Sequence, residues 1–305
     1  MRLAGAVDIG GTATKIGIIA EDGSIVKRET VPTSLRGEPL AVVDAIVSSL
    51  QSLLNVPNAE PITVAGVGVS VAGFLNGDRS TMVHNPNLPA LRDFGLRQAL
   101  EERLSLDCRL EVDSNAAVVA EYRFGAGRGA RRLLGVTVGT GLGGGVIIDG
   151  ELLHYTGECA GDLGHIIVNP KGRLCTCGAR GCLEAMVNSA ALRERAGGRT
   201  VREIVSSARK GDQLAREALA ETGWWLGLGL ASLSPVFSPD RIVVGGGISS
   251  AGDILLDAVR ASYLTHASPE FRAKTQVIGS SFEGWEGMLG AASLFLDTLM
   301  RLTAR

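Results

Sequence analysis

Leu3-Ala4-Gly5-Ala6-Val7-Asp8-Ile9-Gly10-Gly11-Thr12-Ala13-Thr14-Lys15-Ile16-Gly17-Ile18-Ile19-Ala20 is the stretch on which the fold turns. Leu3 to Ile9 reads as a buried strand, and a second apolar run, Ile16 to Ala20, follows the turn Gly10-Gly11-Thr12. The polar turn Glu21-Asp22-Gly23-Ser24 leads into a third run, Ile25 to Val31. The order is strand, turn, strand, turn, strand. A Walker A loop or a dinucleotide fingerprint would send the first strand into a helix, so both are excluded. What remains is a tight turn with exposed amides, the Thr12 hydroxyl and an acid, Asp8, at the strand end. Such a turn can receive phosphate oxygens and organise hydrated Mg²⁺. The competing reading is a plain hairpin turn.

Working outward, residues 38–54 place Leu40, Val43, Ile46, Val47, Leu50, Leu53 and Leu54 on one helix face. A strand is expected over 62–71, turns over 76–91, a helix over 93–105 and a strand over 108–112. Ser114 is a candidate cap for a helix over 116–124. Near Leu133 the opening logic returns: a strand over 133–138, then Gly139-Thr140-Gly141-Leu142-Gly143-Gly144-Gly145, then a strand over 146–148. Two such openings about 130 residues apart suggest a duplicated fold. Helices are expected over 184–195, 200–209, 213–233 (ended by Pro235), 253–264 and 287–299. A strand over 241–244 runs into Gly245-Gly246-Gly247, whose bare backbone can lie flat against an adenine or ribose. Strands alternate with helices throughout, which predicts an α/β protein with a sheet in each of two lobes. The N-terminal lobe is expected over 1–115, completed by a C-terminal helix over 287–305, and the second lobe over 116–286. In this class ligands gather beyond the strand ends, in the crevice between units. Two phosphate turns plus an adenosine turn form the pattern of the two-lobed actin-like, hexokinase-like ATPase fold, with ribonuclease H-like duplicated domains.

Composition narrows the function. The 305 residues suit two domains. Lys plus Arg is 30 against 32 for Asp plus Glu, a net charge of -2 that argues against a nucleic-acid partner. Glycine numbers 41, clustered beside predicted strand ends as expected where backbone approaches a ligand. Aromatics are 4%, so Ala, Val, Leu and Ile build the core; Trp224 and Trp225 are either core or interface, with core packing the default expectation. The five cysteines are an odd number, with three inside one short segment, which argues against a disulfide framework. The N-terminus lacks the pattern of a secretory signal, and the apolar stretch 224–237 is too short to span a membrane. A soluble, cytoplasmic setting is expected.

His165, Cys175, Cys177 and Cys182 offer one imidazole and three thiolates, a closed tetrahedral set for structural Zn²⁺. Buried free cysteines beside a core histidine are the alternative. Cys108 and Cys159 stand outside that grouping. Asp113 lies between a strand and a helix, where it is either a helix cap or a base facing a crevice. Asp162 and Glu184 flank the metal segment, as solvated acids or as fixed acceptors for sugar hydroxyls.

Taken together, the sequence resembles the ROK family of bacterial sugar kinases and sugar-responsive repressors. The resemblance rests on Asp8-Ile9-Gly10-Gly11-Thr12 with Lys15, Pro86-Asn87-Leu88, Glu111-Val112-Asp113-Ser114-Asn115-Ala116-Ala117 and Gly139 to Gly145. It continues through Gly161-Asp162-Leu163-Gly164-His165, Cys175-Thr176-Cys177-Gly178-Ala179-Arg180-Gly181-Cys182-Leu183-Glu184 and Gly245-Gly246-Gly247. It implies ATP-dependent phosphorylation of a hexose, glucose at the C6 hydroxyl foremost, with Asp113 as the general base. Gly10, Gly11, Thr12, Lys15, Gly139, Thr140 and Gly141 would serve the phosphates, Gly245, Gly246 and Gly247 the adenosine, and Asp8 the hydrated Mg²⁺. Asn87, Asp113, Asp162, His165 and Glu184 would contact the sugar, and His165 would offer zinc one nitrogen and the sugar the other. The resemblance further implies a homodimer or homotetramer. Regulators of the family carry a helix-turn-helix before the core, and the core here opens at residue 3, which favours a kinase.

Two departures stand out. Val112 replaces the family's Asn, a partner for a hydroxyl near C3 or C4. Asp162 replaces its Glu, one methylene longer, on the C1–C2 side. A site stripped of such partners loses discrimination. The alternatives are therefore an amino-sugar kinase, acting on N-acetylmannosamine, N-acetylglucosamine or 3-amino-3-deoxyglucose, and a non-catalytic sugar sensor. An acyl-phosphate-forming kinase on the same fold would leave the His/Cys cluster unexplained. A zinc hydrolase would need a vacant metal position.

Overall fold

A computed structural model describes residues 1–33, 38–55, 60–84, 88–154, 162–282 and 284–303. In chain order it contains β1 (Leu3–Ile9), β2 (Ala13–Ala20), β3 (Ile25–Pro32), α1 (Pro39–Leu54), β4 (Val67–Val71), β5 (Phe74–Leu75) and β6 (Met82–His84). There follow α2 (Leu96–Leu104), β7 (Cys108–Val112), α3 (Asp113–Phe124), β8 (Arg132–Val138), β9 (Leu142–Ile148) and β10 (Glu151–Leu152). Then come α4 (Leu183–Val187), α5 (Ser189–Arg195), α6 (Val201–Arg209), α7 (Gln213–Phe237) and β11 (Arg241–Gly245). The chain closes with α8 (Asp253–His266), α9 (Pro269–Lys274), β12 (Gln276–Gly279) and α10 (Glu286–Thr303).

The chain forms two compact units. Unit 1 comprises Met1–Phe124, His154–Ala160 and Trp285–Arg305. Unit 2 comprises Gly125–Leu153 and Gly161–Gly284. The first division falls after Phe124 rather than after residue 115, because α3 packs along α10 and travels with unit 1.

The sheet of unit 1 runs β3-β2-β1-β4-β7. Its β1–β2 and β2–β3 pairs are antiparallel, and β1–β4 and β4–β7 are parallel. Alternation divides the work of its faces. Val7, Ile9, Val67, Val69, Val71, Cys108 and Leu110 point one way and share a core with Val43, Ile46 and Leu50 of α1 and Leu96 and Leu100 of α2. Val112 packs at the margin of that core. The opposite face meets α10, where a Cβ on Gly68 would lie 2.0 Å from the Ala291 carbonyl oxygen. α10 in turn approaches α3 so closely that a Cβ on Gly290 would lie 1.7 Å from the Ala116 oxygen.

The sheet of unit 2 runs β10-β9-β8-β11-β12 with the same sequence of directions, antiparallel on one side of β8 and parallel on the other. Its core joins Leu134, Val136, Ile242 and Val244 to Leu226 and Leu230 of α7 and Leu255 and Val259 of α8. Gly223 and Gly227 let α8 lie against α7, with the Val259 oxygen 2.4 Å from where a Gly227 Cβ would be. Part of the glycine excess therefore serves helix packing, not ligand approach.

Local differences from the sequence expectations have local causes. Ser114 does not cap α3, since the helix already begins at Asp113. The stretch expected as one helix over 184–195 breaks at Asn188, whose side chain accepts from the Ala191 N–H and starts α5 afresh. Helix α7 continues through Pro235 to Phe237 and ends on left-handed Ser238. In that last turn Pro235 forfeits a single hydrogen bond, to the Ala231 carbonyl. Trp224 is not core: it is 41% exposed, edge-on to Trp225 and to His266. It lies off the Gly223/Gly227 stripe that faces α8. Among the described residues no helix is long and apolar enough to cross a membrane.

Candidate active site

In unit 1 the candidate catalytic and phosphate-binding residues lie at one end of the parallel strands. The β1–β2 ladder closes with Ile9 opposite Thr14, and the Gly10 N–H donates to the Ala13 carbonyl at 3.2 Å. A Cβ on Gly10 would crowd that carbonyl at 2.9 Å, which is why glycine stands there. Gly11 and Thr12 form the tip, with Thr12 exposed. Asp8, one residue before the ladder end, accepts from Ser70 Oγ at 3.0 Å and pairs with Lys15 Nζ at 3.5 Å. The Lys15 ammonium and the Arg28 guanidinium also lie over the Trp285 ring, at 5.8 and 4.3 Å from its centroid.

Asp113 follows β7 directly and opens α3, its Oδ1 accepting the Ser114 N–H at 2.8 Å. The side chain reaches solvent, while the protein packed around its base still withdraws part of its hydration. That desolvation, and then the nearby charge of Asp8, push its pKa up to about 6. A carboxylate so tuned is a better proton acceptor than an ordinary one and is still ionised near neutrality.

Glu111 has no role in the motif it belongs to as read from sequence, yet it is built into the same site. Register places Asp8, Ser70 and Glu111 side by side on β1, β4 and β7, on the face turned away from the α1/α2 core. Glu111 is buried; its Oε2 lies 2.9 Å from His154 Nε2 and 3.6 Å from Arg79 Nε, and its Oε1 accepts from Asn115 Nδ2 at 3.0 Å. Burial opposes its charge, yet His154, Arg79 and Asn115 prevail and hold its pKa below the ordinary carboxylate value. The alternation of β7 was the available signal: Glu111 faces opposite to Leu110 and Val112.

In unit 2 the Gly139 N–H donates to the Gly141 carbonyl at 2.9 Å, closing a second turn with Thr140 exposed at its tip. Gly139 lies beside Gly247: a Cβ on the former would be 3.9 Å from the latter's nitrogen, and a Cβ on Gly247 would meet nothing. Gly246, at φ +88°, is pressed onto β8, its missing Cβ 2.5 Å from the Val138 backbone. Gly245 ends β11 against Ser280. Glu184 ties the turn to the cysteine loop: Oε2 accepts the Leu142 N–H at 3.0 Å, while Oε1 lies 3.4 Å from Thr176 Oγ1 and 3.9 Å from Cys175 Sγ.

One ligand atom each from His165, Cys175, Cys177 and Cys182 lie within 4.8 Å of one another. Cys175 Sγ is 3.6 Å from His165 Nδ1, and Cys177 Sγ is 3.7 Å from Cys182 Sγ, so these cysteines are free. Zn–S bonds of about 2.3 Å at tetrahedral angles put sulfurs about 3.8 Å apart. The donor set and its spacing thus fit a closed tetrahedral cation site. Burial, aided by the adjacent thiols, pushes the Cys182 thiol up to about 12, so without a cation this group stays protonated. Asp162 leads into the short 3₁₀ turn Leu163–His165; its Oδ1 accepts the Gly164 N–H at 3.3 Å and its Oδ2 lies 3.3 Å from His165 Nε2. Burial raises its pKa, with His165 opposing. Asn87 falls outside the described residues, as does Cys159.

A sequence profile of the ROK family matches residues 4–298. The chain belongs to the ROK family. A curated ROK relative, a glucokinase of Streptomyces coelicolor, is 36% identical, covering 96% of this chain and 98% of its own. An N-acetylmannosamine kinase of Escherichia coli is 32% identical over 95% of this chain and 97% of its own. Among solved structures, a ROK glucokinase from Streptomyces griseus in complex with glucose and AMPPNP superposes with a TM-score of 0.83 at 34% identity, covering 96% of this chain and 98% of that one. The duplicated sheets of this ROK protein are accordingly those of the actin-like, hexokinase-like ATPase fold.

Proposed function

We propose that the chain transfers the γ-phosphoryl group of ATP to the C6 hydroxyl of a hexose, glucose foremost. The observation that carries this reading is Asp113, a solvent-reachable carboxylate at the end of the parallel strand β7 in a chain that matches the ROK family over residues 4–298. Asp113 accepts the proton as the sugar oxygen attacks the phosphorus in line. The exposed tips Gly11-Thr12 and Thr140 offer amides and hydroxyls to phosphate oxygens, and Asp8 orients the waters of the nucleotide's Mg²⁺. Lys15, held beside Asp8, adds positive charge. Gly247, open where a side chain would project, leaves room for adenosine, and Gly139 adjoins it. His165, Cys175, Cys177 and Cys182 would hold a zinc ion, which would supply a structural crosslink rather than a reagent. Asn87, Asp162, His165 and Glu184 are the remaining sugar contacts of this reading. The assembly that goes with it is a homodimer or homotetramer, checked by light scattering.

Relatives of similar identity carry the names glucokinase and N-acetylmannosamine kinase, and Val112 turns into the core where the family pattern has a polar amide. An amino-sugar substrate is therefore the second reading. A coupled ADP-release assay decides, with ATP, Mg²⁺ and glucose, mannose, N-acetylglucosamine, N-acetylmannosamine or 3-amino-3-deoxyglucose. The highest kcat/KM with glucose supports the first reading, and an amino sugar in first place supports the second. Silence with every sugar overturns both.

A further inference from the structure

We propose that Glu111 is a positioning residue for Asp113: its buried carboxylate clamps the junction between β7 and α3 on both sides of Asp113, so that the base projects from a fixed backbone. This role rests on Asp113 being the base of the proposed transfer, and it gives a task to a buried acid that the reading above leaves without one.

Asp113 stands where a strand becomes a helix, with Val112 the last residue of β7 and Asp113 the first of α3. β7 is the outer strand of its sheet, so no further strand braces that end. The first N–H groups of α3 have no partners within the helix. A side chain at such a junction points where its backbone directs it, and a misplacement of about 1 Å can cost about 10²-fold in rate.

Glu111 braces the junction. One oxygen, Oε1, accepts from the Val112 N–H at 3.1 Å and from Asn115 Nδ2 at 3.0 Å. These partners flank Asp113, one on the strand side and one in the first turn of the helix. At the other oxygen, Oε2, His154 Nε2 donates at 2.9 Å and Arg79 Nε forms an ion pair at 3.6 Å. Arg79 comes from the turn between β5 and β6 and His154 from just beyond β10, and both belong to unit 1. Neutralising a buried acid would take only Arg79 and His154. The bonds to Val112 and Asn115 are what tie the carboxylate, 1% exposed, to the backbone that carries the base.

The test uses the full chain and the sugar of highest kcat/KM, with Glu111→Ala, Glu111→Gln, Asn115→Ala, Asp113→Asn and the double variant Glu111→Ala/Asp113→Asn. Slow rates are followed as accumulated sugar phosphate. Glu111→Ala is expected to lower kcat about 10–100-fold with KM for sugar and for ATP unchanged within about threefold. Glu111→Gln keeps an oxygen for Val112 and Asn115, and its amide can donate to His154 in the other tautomer, so kcat returns to within about fivefold of wild type. In the Asp113→Asn background Glu111→Ala is expected to change the residual rate by less than about threefold, because no base is left to position. A merely structural role would lower both rates alike. Wild-type kcat in Glu111→Ala, or a further fall of about tenfold or more when it is added to Asp113→Asn, would overturn the proposal. If Glu111→Ala does not fold, Asn115→Ala decides: about a 3–10-fold loss in kcat with KM unchanged supports the clamp, and wild-type kcat overturns it. Failure of the underlying reading looks different: Asp113→Asn then keeps its activity within about tenfold, and Glu111 has no base to position. A wild type silent with every sugar overturns the transfer and the clamp with it.

Discussion

The two units share one strand order and one set of directions, yet their strand ends are furnished differently. One residue before the ladder end, unit 1 has Asp8 on its first strand, where unit 2 has Thr137. After its last strand unit 1 places Asp113, where unit 2 has Ser280. Unit 2 instead hangs a cysteine loop beside its glycine turn, tied to it through Glu184. The shared scaffold specifies where groups can converge. The residues at the strand ends differ in kind: carboxylates in unit 1, and in unit 2 neutral turns beside a His/Cys cluster.

The sharpest break of that division is Asp113→Asn. Loss of a general base should lower kcat about 10²–10⁴-fold, read as sugar-dependent ADP release. Retention of activity within tenfold would move the base elsewhere. In the wild type, log kcat/KM should fall with unit slope as pH drops below about 6, because the raised pKa leaves Asp113 protonated there. The stability effect has the opposite sign. A carboxyl with a raised folded pKa destabilises the fold above about pH 6 and does not below the unfolded value of 3.8. Solvent reaches Asp113, so screening holds that penalty to about 1 kcal/mol, and Asp113→Asn should raise Tm slightly at pH 8 and leave it unchanged at pH 3.5.

Metal removal tests the other half. Cys182→Ser, or exhaustive chelation, should cost unit 2 roughly 3 kcal/mol or more and leave hydrogen-exchange protection of β1, β4 and β7 intact. Equal loss in both sheets would mean that the units unfold as one. Smaller still, Gly290→Ala forces a Cβ onto the Ala116 carbonyl and Gly227→Ala onto that of Val259. Each should cost about 1–3 kcal/mol, with exchange accelerated around α10 in the first and around α8 in the second. Val112→Asn should have the smallest effect: less than about 1.5 kcal/mol in the ratio of kcat/KM between glucose and an amino sugar, with a slight drop in Tm from the polar group at the core margin.

What could be read in advance follows from what lies in sequence order. Strands buried on both faces appear as unbroken apolar runs, so Leu3–Ile9 and the return of the same opening at β8 were visible, and with them the duplication. His165 and the three cysteines stood out because all four lie within one short segment. Asp113 was legible as a junction residue, but its raised pKa comes from burial and then from the charge of Asp8, far away in sequence. The Asp8–Ser70–Glu111 row needs the register of three strands, and the Asp162–His165 pairing needs to know which ring nitrogen points where. Trp224 misled because burial on α7 is set by its glycine stripe, not by residue type. The split at Phe124 depends on α10, which no local pattern near residue 124 encodes.

That last helix has a consequence for synthesis. The strands β1, β4 and β7 leave the ribosome early, but α10, which covers one of their faces, is made only after all of unit 2. Unit 2 can close on itself first, while the earlier half waits with an uncovered sheet face and with α3 lacking its partner. The order of completion is thus the reverse of the order of translation. A released chain ending just before residue 286 should display a protease-resistant second half beside a vulnerable first one.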